Sequence, residues 1–277
     1  MSAVATHLYQ IAYSQASLAA IEPGYRVLDN LANPRPDWYE YGPIRRFLQT
    51  EVLDESAYYG FFSPKFQAKT GLRHADVVRE VQAATAVTAS RAVADVVLFS
   101  PFPNQIAFFQ NVFEQGEFFH PGLMQASLEW LAQIGRPLPL PQLVMDSRQM
   151  VYSNYFVARP AFWREWLLWN EALYAICEGE ASSLRTQLLA PTTYEGGTQR
   201  KIFVMERTAS LLLAVQPQWH SHAHNPFTQG WPTEALQRDP SQAICCDALK
   251  QAFRNQGYPQ YLQAFGTLRQ QVLGIKK

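Results

Sequence analysis

The sequence has few charged residues and no long apolar run. Only 17% of its 277 residues are charged, and 23 basic side chains balance 23 acidic ones. A chain without net charge lacks the basic surface on which non-specific nucleic-acid binding depends. Its longest apolar runs, VVLF and LLLAV, fall far short of the roughly 20 residues that cross a bilayer. These absences argue against nucleic-acid binding and against a membrane-spanning segment.

Cysteine is also scarce. The three cysteines, Cys177, Cys245 and Cys246, lack metal-ligand spacing, and the adjacent pair would form only a strained bridge. The first residues, MSAVATHLYQIAYSQ, have no cationic start followed by a long apolar stretch, so they do not resemble a secretory signal. We therefore expect a cytoplasmic protein in a reducing compartment.

Aromatic residues are abundant by contrast, with seven Trp, thirteen Tyr and seventeen Phe. Trp and Tyr suit sites that need a flat apolar face beside a polar group, as sugar and nucleobase sites do. A large aromatic core explains the same composition and is the simpler interpretation.

Segments with strand character alternate with segments of helical spacing. Strands are predicted at 7–13, 57–63, 94–100 and 149–158, and the clearest helices at 74–87, 160–177, 201–215, 241–255 and 258–273. This alternation predicts an α/β fold with helices on the faces of a sheet. Ligands of such folds bind at the carboxyl ends of the strands.

The segment GFFSPKFQAKTG, residues 60–71, places Lys65 and Lys69 four residues apart where a strand gives way to a helix. A helix N-terminus beside two lysines would favour a diphosphate. The glycine spacing of a P-loop is absent. A pair of lysines facing solvent is the alternative interpretation.

Two further segments suggest a metal site. Asp95 precedes the run VVLF, and the segment WHSHAHNPF contains His220, His222 and His224. Alternate histidines in an extended chain point to one side, so two of them could share a transition-metal ion, and Asp95 could separately hold a divalent metal or a ribose. A strand-start carboxylate and a polar loop explain the same residues, and no aspartate-x-aspartate motif is present.

Polar residues also stand within two apolar segments. Asn154 lies in a predicted strand rich in aromatic residues, and Glu206 and Arg207 lie in an apolar predicted helix. Buried charges are costly unless paired, so this pair is either a structural salt bridge or contains a carboxylate placed for acid/base work.

These last segments carry a resemblance to a known family. The patterns S-N-Y-F-x-A-x-P, F-W-x-x-W and E-R-x-x-S-x-L-L, together with LDN, NPRPDWYEYGPIRRFL and YYGFFSPKFQAKTGL, resemble bacterial glycosyltransferase-like proteins of capsule and lipopolysaccharide gene clusters. The resemblance covers most of residues 5–215. It implies a GT-A-like, Rossmann-like mixed sheet flanked by helices over residues 1–215, with a helical C-terminal extension, residues 216–277, packed on it.

The resemblance also implies roles for individual residues. It puts Asp29, Asn30, Trp38 and Glu40 near a nucleotide-sugar or acceptor pocket and makes Glu206 the acidic residue of the E-R motif. Lys65 and Lys69 or a metal would neutralise the leaving diphosphate, and Asp95 or Glu206 would act as acid or base. Tyr59, like Trp38, would stack on the base or the sugar of the substrate. The remaining substrate-binding candidates are Asn154 and Arg207.

The implied partners are a nucleotide-sugar donor, a saccharide or lipid-linked saccharide acceptor, and the inner membrane or a polysaccharide-assembly complex. Two other functions fit the same residues: a metal-dependent hydrolase or phosphoesterase built on His220, His222 and His224, and a non-catalytic saccharide-binding subunit. The resemblance also implies one of two forms of glycosyl transfer: a form that uses Mn²⁺ or Mg²⁺ bound by Asp95, His222 and His224, or a metal-independent form.

Overall fold

A computed structural model describes residues 4–87 and 92–273, and its centre is one six-stranded mixed sheet. The spatial order of the strands is β2-β1-β3-β5-β4-β6. Five strands run parallel, and β5 is antiparallel to both of its neighbours, β3 and β4. The strands are β1 (Thr6–Ala12), β2 (Arg26–Asp29), β3 (Tyr58–Phe62), β4 (Val96–Leu98), β5 (Phe156–Ala158) and β6 (Ser221–Ala223).

Helices connect these strands and cover both faces of the sheet, which confirms the predicted α/β class. The helices up to β5 are α1 (Gln15–Ala19), α2 (Tyr41–Thr50), α3 (Phe66–Thr70), α4 (His74–Thr85), α5 (Pro103–Phe108), α6 (Val112–Phe119) and α7 (Leu123–Gln133). Those after it are α8 (Pro160–Glu178), α9 (Ser183–Leu189), α10 (Arg200–Glu206), α11 (Thr208–Val215), α12 (Glu234–Arg238), α13 (Ser241–Gln256) and α14 (Pro259–Leu273).

Alternate residues of each strand pack into two separate apolar cores. On one face Phe61 and Leu98 join the core built by helices α2, α7, α8, α10 and α11. On the other face Phe62 and Val97 pack against Val77 and other residues of α4. Because both faces of the central strands are covered, β3 and β4 are apolar without alternation. The aromatic residues fill these cores, as the simpler interpretation of the composition expected.

The sequence patterns do not predict two of the strands. Residues 26–29 form β2 although only Leu28 of the strand is buried, and residues 221–223 form β6 with three partly exposed side chains. Both are edge strands, so neither shows the apolar run or the clean alternation of a buried strand. The predicted strand 149–158 shortens to Phe156–Ala158, and the predicted helix 201–215 breaks at Arg207.

The C-terminal segment contributes to the sheet as well as packing beside it. Its strand β6 pairs in parallel with β4, so the segment 216–277 is helical only beyond that strand. Residues 274–277 of the predicted extension lie outside the described residues. Helix α13 packs on α5 and α14 through a small apolar cluster that contains Phe108, Cys246 and Phe265.

A fully buried lysine fixes α13 against α5. The Lys250 ammonium donates hydrogen bonds to the carbonyl oxygens of Ile106, at 2.5 Å, and Phe109, at 2.8 Å. Burial lowers the pKa of Lys250. These carbonyls lie at the end of α5, where the helix leaves backbone acceptors without a partner of its own. Lys250 therefore supplies the donor that this helix end lacks.

We expect Lys250→Met to lower the free energy of unfolding by about 1–3 kcal/mol, because two buried carbonyl groups lose their donor. Urea unfolding followed by circular dichroism measures the change. Gln242→Met on the exposed side of the same helix is the matched control. Equal stability of the two variants would contradict the role given to Lys250.

Among the described residues, none of the helices combines the length and the apolar character that crossing a membrane requires.

Candidate functional site

The carboxyl ends of the five parallel strands and the amino end of β5 meet at one edge of the sheet, called here the carboxyl edge. Tyr13 follows β1, Ser63 follows β3, and Phe102 lies shortly after β4. Asn154 and Tyr155 reach the same edge from the opposite direction, because they precede the antiparallel strand β5. The Tyr155 hydroxyl lies 2.6 Å from the Ser63 hydroxyl, which joins the two segments.

Lys69 projects from α3 into this edge. Its ammonium donates a hydrogen bond to the Ser153 hydroxyl at 2.9 Å and lies 5.9 Å and 5.6 Å from the ring centroids of Phe102 and Tyr155. In the part of the chain that the structure describes, no carboxylate lies within 4.0 Å of Lys69. Lys65, just before α3, is exposed and has no ion-pair partner among the same residues. Both predicted lysines thus keep their charge available.

The backbone around Lys69 is strained. Phe102, Ser153 and Asn154 have φ angles of 68°, 58° and 53°, in the left-handed region that disfavours most side chains. For the bulky Phe102 this conformation is an outlier, and each such residue costs of the order of 1 kcal/mol or more. Strained residues of this kind cluster at active sites, and here Phe102 and Ser153 contact one ammonium group while Asn154 follows Ser153 directly.

The charge of Lys69 influences the pKa of two carboxyl groups, those of Glu206 and Glu40. Burial and, to a smaller extent, the charge of Glu40 raise the pKa of Glu206 to about 7, against the opposing charges of Arg207 and Lys69. Burial likewise raises the pKa of Glu40, with Lys69 and Lys65 acting in the opposite direction. Glu206 ends α10 and Glu40 immediately precedes α2, so the two carboxyl groups whose charges interact come from distant parts of the sequence.

Two buried polar atoms in this region have no hydrogen-bond partner among the described residues. They are the Tyr13 hydroxyl and the Asn154 side-chain oxygen, although Asn154 is only 1% exposed. Burial raises the pKa of the Tyr13 hydroxyl, and the nearby charge of Glu40 raises it further. Buried polar atoms without partners are uncommon and are satisfied when a ligand supplies the missing partner. We call Tyr13, Glu40, Lys69, Asn154 and Glu206 the cleft cluster.

Several predicted site residues have structural roles instead. The Tyr59 ring is buried and its hydroxyl accepts from the Asp54 amide at 2.8 Å, so Tyr59 has no free face for stacking. Trp38 is also buried, donates to Glu178 at 3.0 Å and has the Lys201 ammonium 4.2 Å from its ring. The predicted stacking role of these two rings is therefore not supported by their surroundings.

Arg207 does not pair with Glu206. Its guanidinium donates to the carbonyl oxygens of Val112, at 2.7 Å, and Phe203, at 2.6 Å, and to the side chain of Gln115. This arginine links α6 to the break between α10 and α11. The first interpretation of the Glu206–Arg207 pair, a direct salt bridge, is not supported, because the ion pairs among the described residues do not include one between them. Glu206 therefore lacks the cationic partner that would stabilise its charged form.

Asp29 and Asn30 lie at the end of β2. The exposed Asp29 carboxylate accepts from the Leu31 amide at 2.9 Å. Asn30 is buried, and its amide donates to the side chain of Asn33 at 3.1 Å. Both residues are at the carboxyl edge, as expected, but in a different part of it from the cleft cluster.

The residues of the predicted metal site are paired with other groups. Asp95 precedes β4 and so lies at the opposite edge of the sheet, where it is 3.5 Å from Arg159 and accepts from the His220 amide at 3.1 Å. His222 and His224 share Glu80, at 2.8 Å and 3.2 Å, and these bonds lower the pKa of Glu80 to about 2. Within residues 4–87 and 92–273, no group of three or more His, Cys, Asp or Glu side chains is arranged to hold a metal ion.

Sequence reasoning missed Tyr13, Phe102 and Ser153. The sequence predicts Tyr13 only as the end of a strand, and the turn at Ser153 lies inside the predicted strand 149–158. A proline next to a strand end, as in SPF at 100–102, is the sequence signal that could have identified such a position.

No family model, no curated protein and no solved structure matches the chain. The site must be interpreted from its own chemistry. It combines unpaired cations, two proximal carboxyl groups of raised pKa and unsatisfied polar atoms, a combination suited to proton transfer on a polar, anionic substrate.

We expect Glu206→Gln to stabilise the protein above pH 7. In the folded state the pKa of Glu206 is about 7, above its ordinary value, so the folded chain binds more protons than the unfolded chain between these two values. Its contribution to stability is therefore present at low pH and falls as the pH rises through this interval. Removing the carboxyl group removes this loss of stability, which is about 3 kcal/mol at roughly 1.4 kcal/mol per pKa unit.

Thermal unfolding measured across this pH range tests the expectation. Glu234→Gln is the control, since the side chain of Glu234 is 88% exposed and its replacement should leave the pH profile unchanged. A Glu206→Gln profile parallel to that of the wild type would show that Glu206 ionises normally.

Proposed function

We propose that the chain is a glycosyltransferase that moves a sugar from a nucleotide-sugar donor to a saccharide acceptor in cell-surface polysaccharide synthesis. The observation that carries the proposal is the position of Lys69, held by Ser153 at the carboxyl edge, where its charge acts on the carboxyl groups of Glu40 and Glu206. Glycosyl transfer needs a cation for the departing diphosphate and a base for the attacking hydroxyl, and these residues would supply both.

The fold supports the proposal at a coarse level. The resemblance implies a GT-A-like mixed sheet flanked by helices, and the chain has a mixed sheet with one antiparallel strand among five parallel strands. Substrates of open α/β sheets bind outside the carboxyl ends of the strands, which is where the cleft cluster lies.

Lys69 and Lys65 are our candidates for the diphosphate. Negative charge builds on the diphosphate as its bond to the sugar breaks, and an ammonium group in a partly buried site stabilises that charge more than it would in water. The Ser153 hydroxyl would orient Lys69 before the reaction. This arrangement needs no reorganisation during the step.

Glu206 is our candidate for the base, with Glu40 as its neighbour. A carboxyl group of pKa about 7 ionises near neutral pH and is then basic enough to accept the proton of an acceptor hydroxyl. The proximity of Glu40 makes the carboxylate form of Glu206 less stable and therefore a stronger base. The Tyr13 hydroxyl and the Asn154 oxygen would pair with hydroxyl groups of the bound sugars.

A divalent metal has no supported site in this arrangement. The predicted ligands Asp95, His222 and His224 are paired with Arg159, His220 and Glu80 and lie apart from the cleft cluster. We therefore assign no step of the transfer to Mn²⁺ or Mg²⁺. Because His220, His222 and His224 are paired with Asp95 and Glu80, they also give no support to a histidine-based hydrolase.

We expect a nucleoside diphosphate to raise the Tm of the wild-type protein and Lys69→Gln to abolish most of that increase. A ligand at a hundred times its Kd stabilises the folded state by about 2.7 kcal/mol, which is easily resolved. A panel of nucleoside diphosphates with and without Mn²⁺, followed by thermal unfolding, measures the response. The nucleoside diphosphate that raises the Tm identifies the nucleotide of the donor. In Glu206→Gln, turnover of the corresponding nucleotide-sugar should fall, while the rise in Tm with the nucleoside diphosphate should remain.

Arg79→Gln is the matched control, because Arg79 is an exposed cation on α4 paired with Asp76. A panel in which no nucleotide shifts the Tm would contradict the proposal. A shift by saccharides alone, without nucleotide turnover, would favour the non-catalytic saccharide-binding subunit.

A further inference from the structure

A cavity opens beside the end of β2 and is lined by residues of the loop 30–38, by residues of α2 and by Tyr174 of α8. Its volume is about 220 Å³. No member of the cleft cluster lines it, so it is a separate site. Sites for drug-sized ligands are roughly 300–1,000 Å³, so a smaller molecule fits this one.

Three arginines line the cavity, and two of them are neutralised by carboxylates. Arg35 contacts Asp37 at 2.9 Å and Glu178 at 2.6 Å. Arg45 forms two hydrogen bonds to Glu171, at 2.6 Å and 2.8 Å. These ion pairs fix the walls of the cavity and leave little net charge there.

Arg46 is the exception. Among the described residues no carboxylate lies within 4.0 Å of its guanidinium, which donates one hydrogen bond, to the Asp29 carbonyl oxygen at 2.6 Å. A guanidinium has five N–H donors in a planar fork that matches carboxylate and phosphate groups. Arg46 therefore has several donors left, and its backbone contact holds it at the cavity.

The remaining walls favour a polar ligand with an acid group. Gly42 and Pro43, in the first turn of α2, line the cavity, and no side chain caps this helix. The positive end of the helix dipole adds to the charge of Arg46. Asn30 and Gln49 supply amide groups, while Pro34, Trp38 and Tyr174 supply apolar surface.

We propose that this cavity binds a small polar ring compound that carries an acid group, either a sugar phosphate or a sugar carboxylate, with the acid group on Arg46. The proposal does not depend on the glycosyltransferase assignment, since it concerns binding at a separate site. Phosphate and carboxylate each present a pair of acceptor oxygens that the two parallel N–H donors of a guanidinium can bind.

Isothermal titration calorimetry at constant ionic strength, with glucose 1-phosphate, glucuronate, inorganic phosphate and glucose as probes, tests the proposal. We expect glucose 1-phosphate or glucuronate to bind and neutral glucose to give no heat. Arg46→Gln should weaken the binding by about tenfold or more, the value of a charge-assisted hydrogen bond. Binding of only one acid would identify the acid group, and inorganic phosphate would show how much of the affinity comes from the ring.

Gly42→Leu gives an independent test that leaves every charge in place. A Cβ atom at Gly42 has only the Arg35 carbonyl oxygen nearby, at 3.9 Å, so a larger side chain would extend into the cavity instead of clashing with the protein. Binding should be lost in this variant and retained in Arg79→Gln. Equal thermal unfolding of Arg46→Gln and the wild type would show that the fold is intact.

Anions could also bind at Lys69, so the titrations are repeated in Lys69→Gln, where binding at the cavity should persist. Unchanged affinity in both Arg46→Gln and Gly42→Leu, or no binding of any acid, would overturn the proposal. The response to nucleoside diphosphates, tested separately, should be unaffected by Arg46→Gln. The two proposals can therefore fail independently.

Discussion

The reversed direction of β5 is the constraint on which the site depends. If all six strands were parallel, the segment before β5 would lie at the opposite edge of the sheet. Because β5 pairs antiparallel with both β3 and β4, Ser153 and Asn154 arrive where β3 and β4 end. The hydrogen bond from Lys69 to Ser153 joins two segments that are 84 residues apart in sequence. The cleft cluster is thus a consequence of sheet topology.

The same constraint explains the backbone strain. The chain must turn sharply after Tyr152 to enter β5, whose three residues are fully buried on both faces. Two consecutive residues, Ser153 and Asn154, take up the turn with positive φ angles. Such a turn is maintained only where the surrounding structure fixes it, here by the Ser63–Tyr155 hydrogen bond and the pairing of β5. Strain and polar groups therefore occur together at this edge for one physical reason.

The sequence predicts the buried parts of the fold better than its edges. Strands β1, β3 and β4 and helices α4, α8, α13 and α14 follow from apolar patterns, because burial selects apolar residues directly. Strands β2 and β6 pair at the edges of the sheet and bury few side chains, so backbone hydrogen bonding rather than composition determines them. The break at Arg207 was hidden for a different reason, since the apolar pattern continues through it.

The site residues divide along a similar line. Asn154 and Glu206 are polar groups in apolar segments, and sequence reasoning identified them from that contrast. It identified Lys69 from its place where a strand gives way to a helix, and Glu40 only through the resemblance. It could not identify which polar groups find partners. Asp95 and Arg207 looked equally anomalous in sequence, but Asp95 meets Arg159 and Arg207 meets three oxygen atoms. Only tertiary structure distinguishes a polar group that is satisfied within the chain from one that is left for a ligand.

Because the net charge of the chain is zero, a cation that has no carboxylate partner is informative. With 23 cations and 23 anions, the chain has enough carboxylates for every lysine and arginine, and even the buried Lys201 has a carboxylate partner, Asp37. When a cation at a cavity or a strand end has no carboxylate partner, the reason is therefore the geometry of the fold and not a shortage of carboxylates. Lys69 and Arg46 are two such cations, at two separate parts of the carboxyl edge. Each is held by one neutral oxygen acceptor, which orients the cation without cancelling its charge, and this is the electrostatic arrangement that an anionic ligand requires.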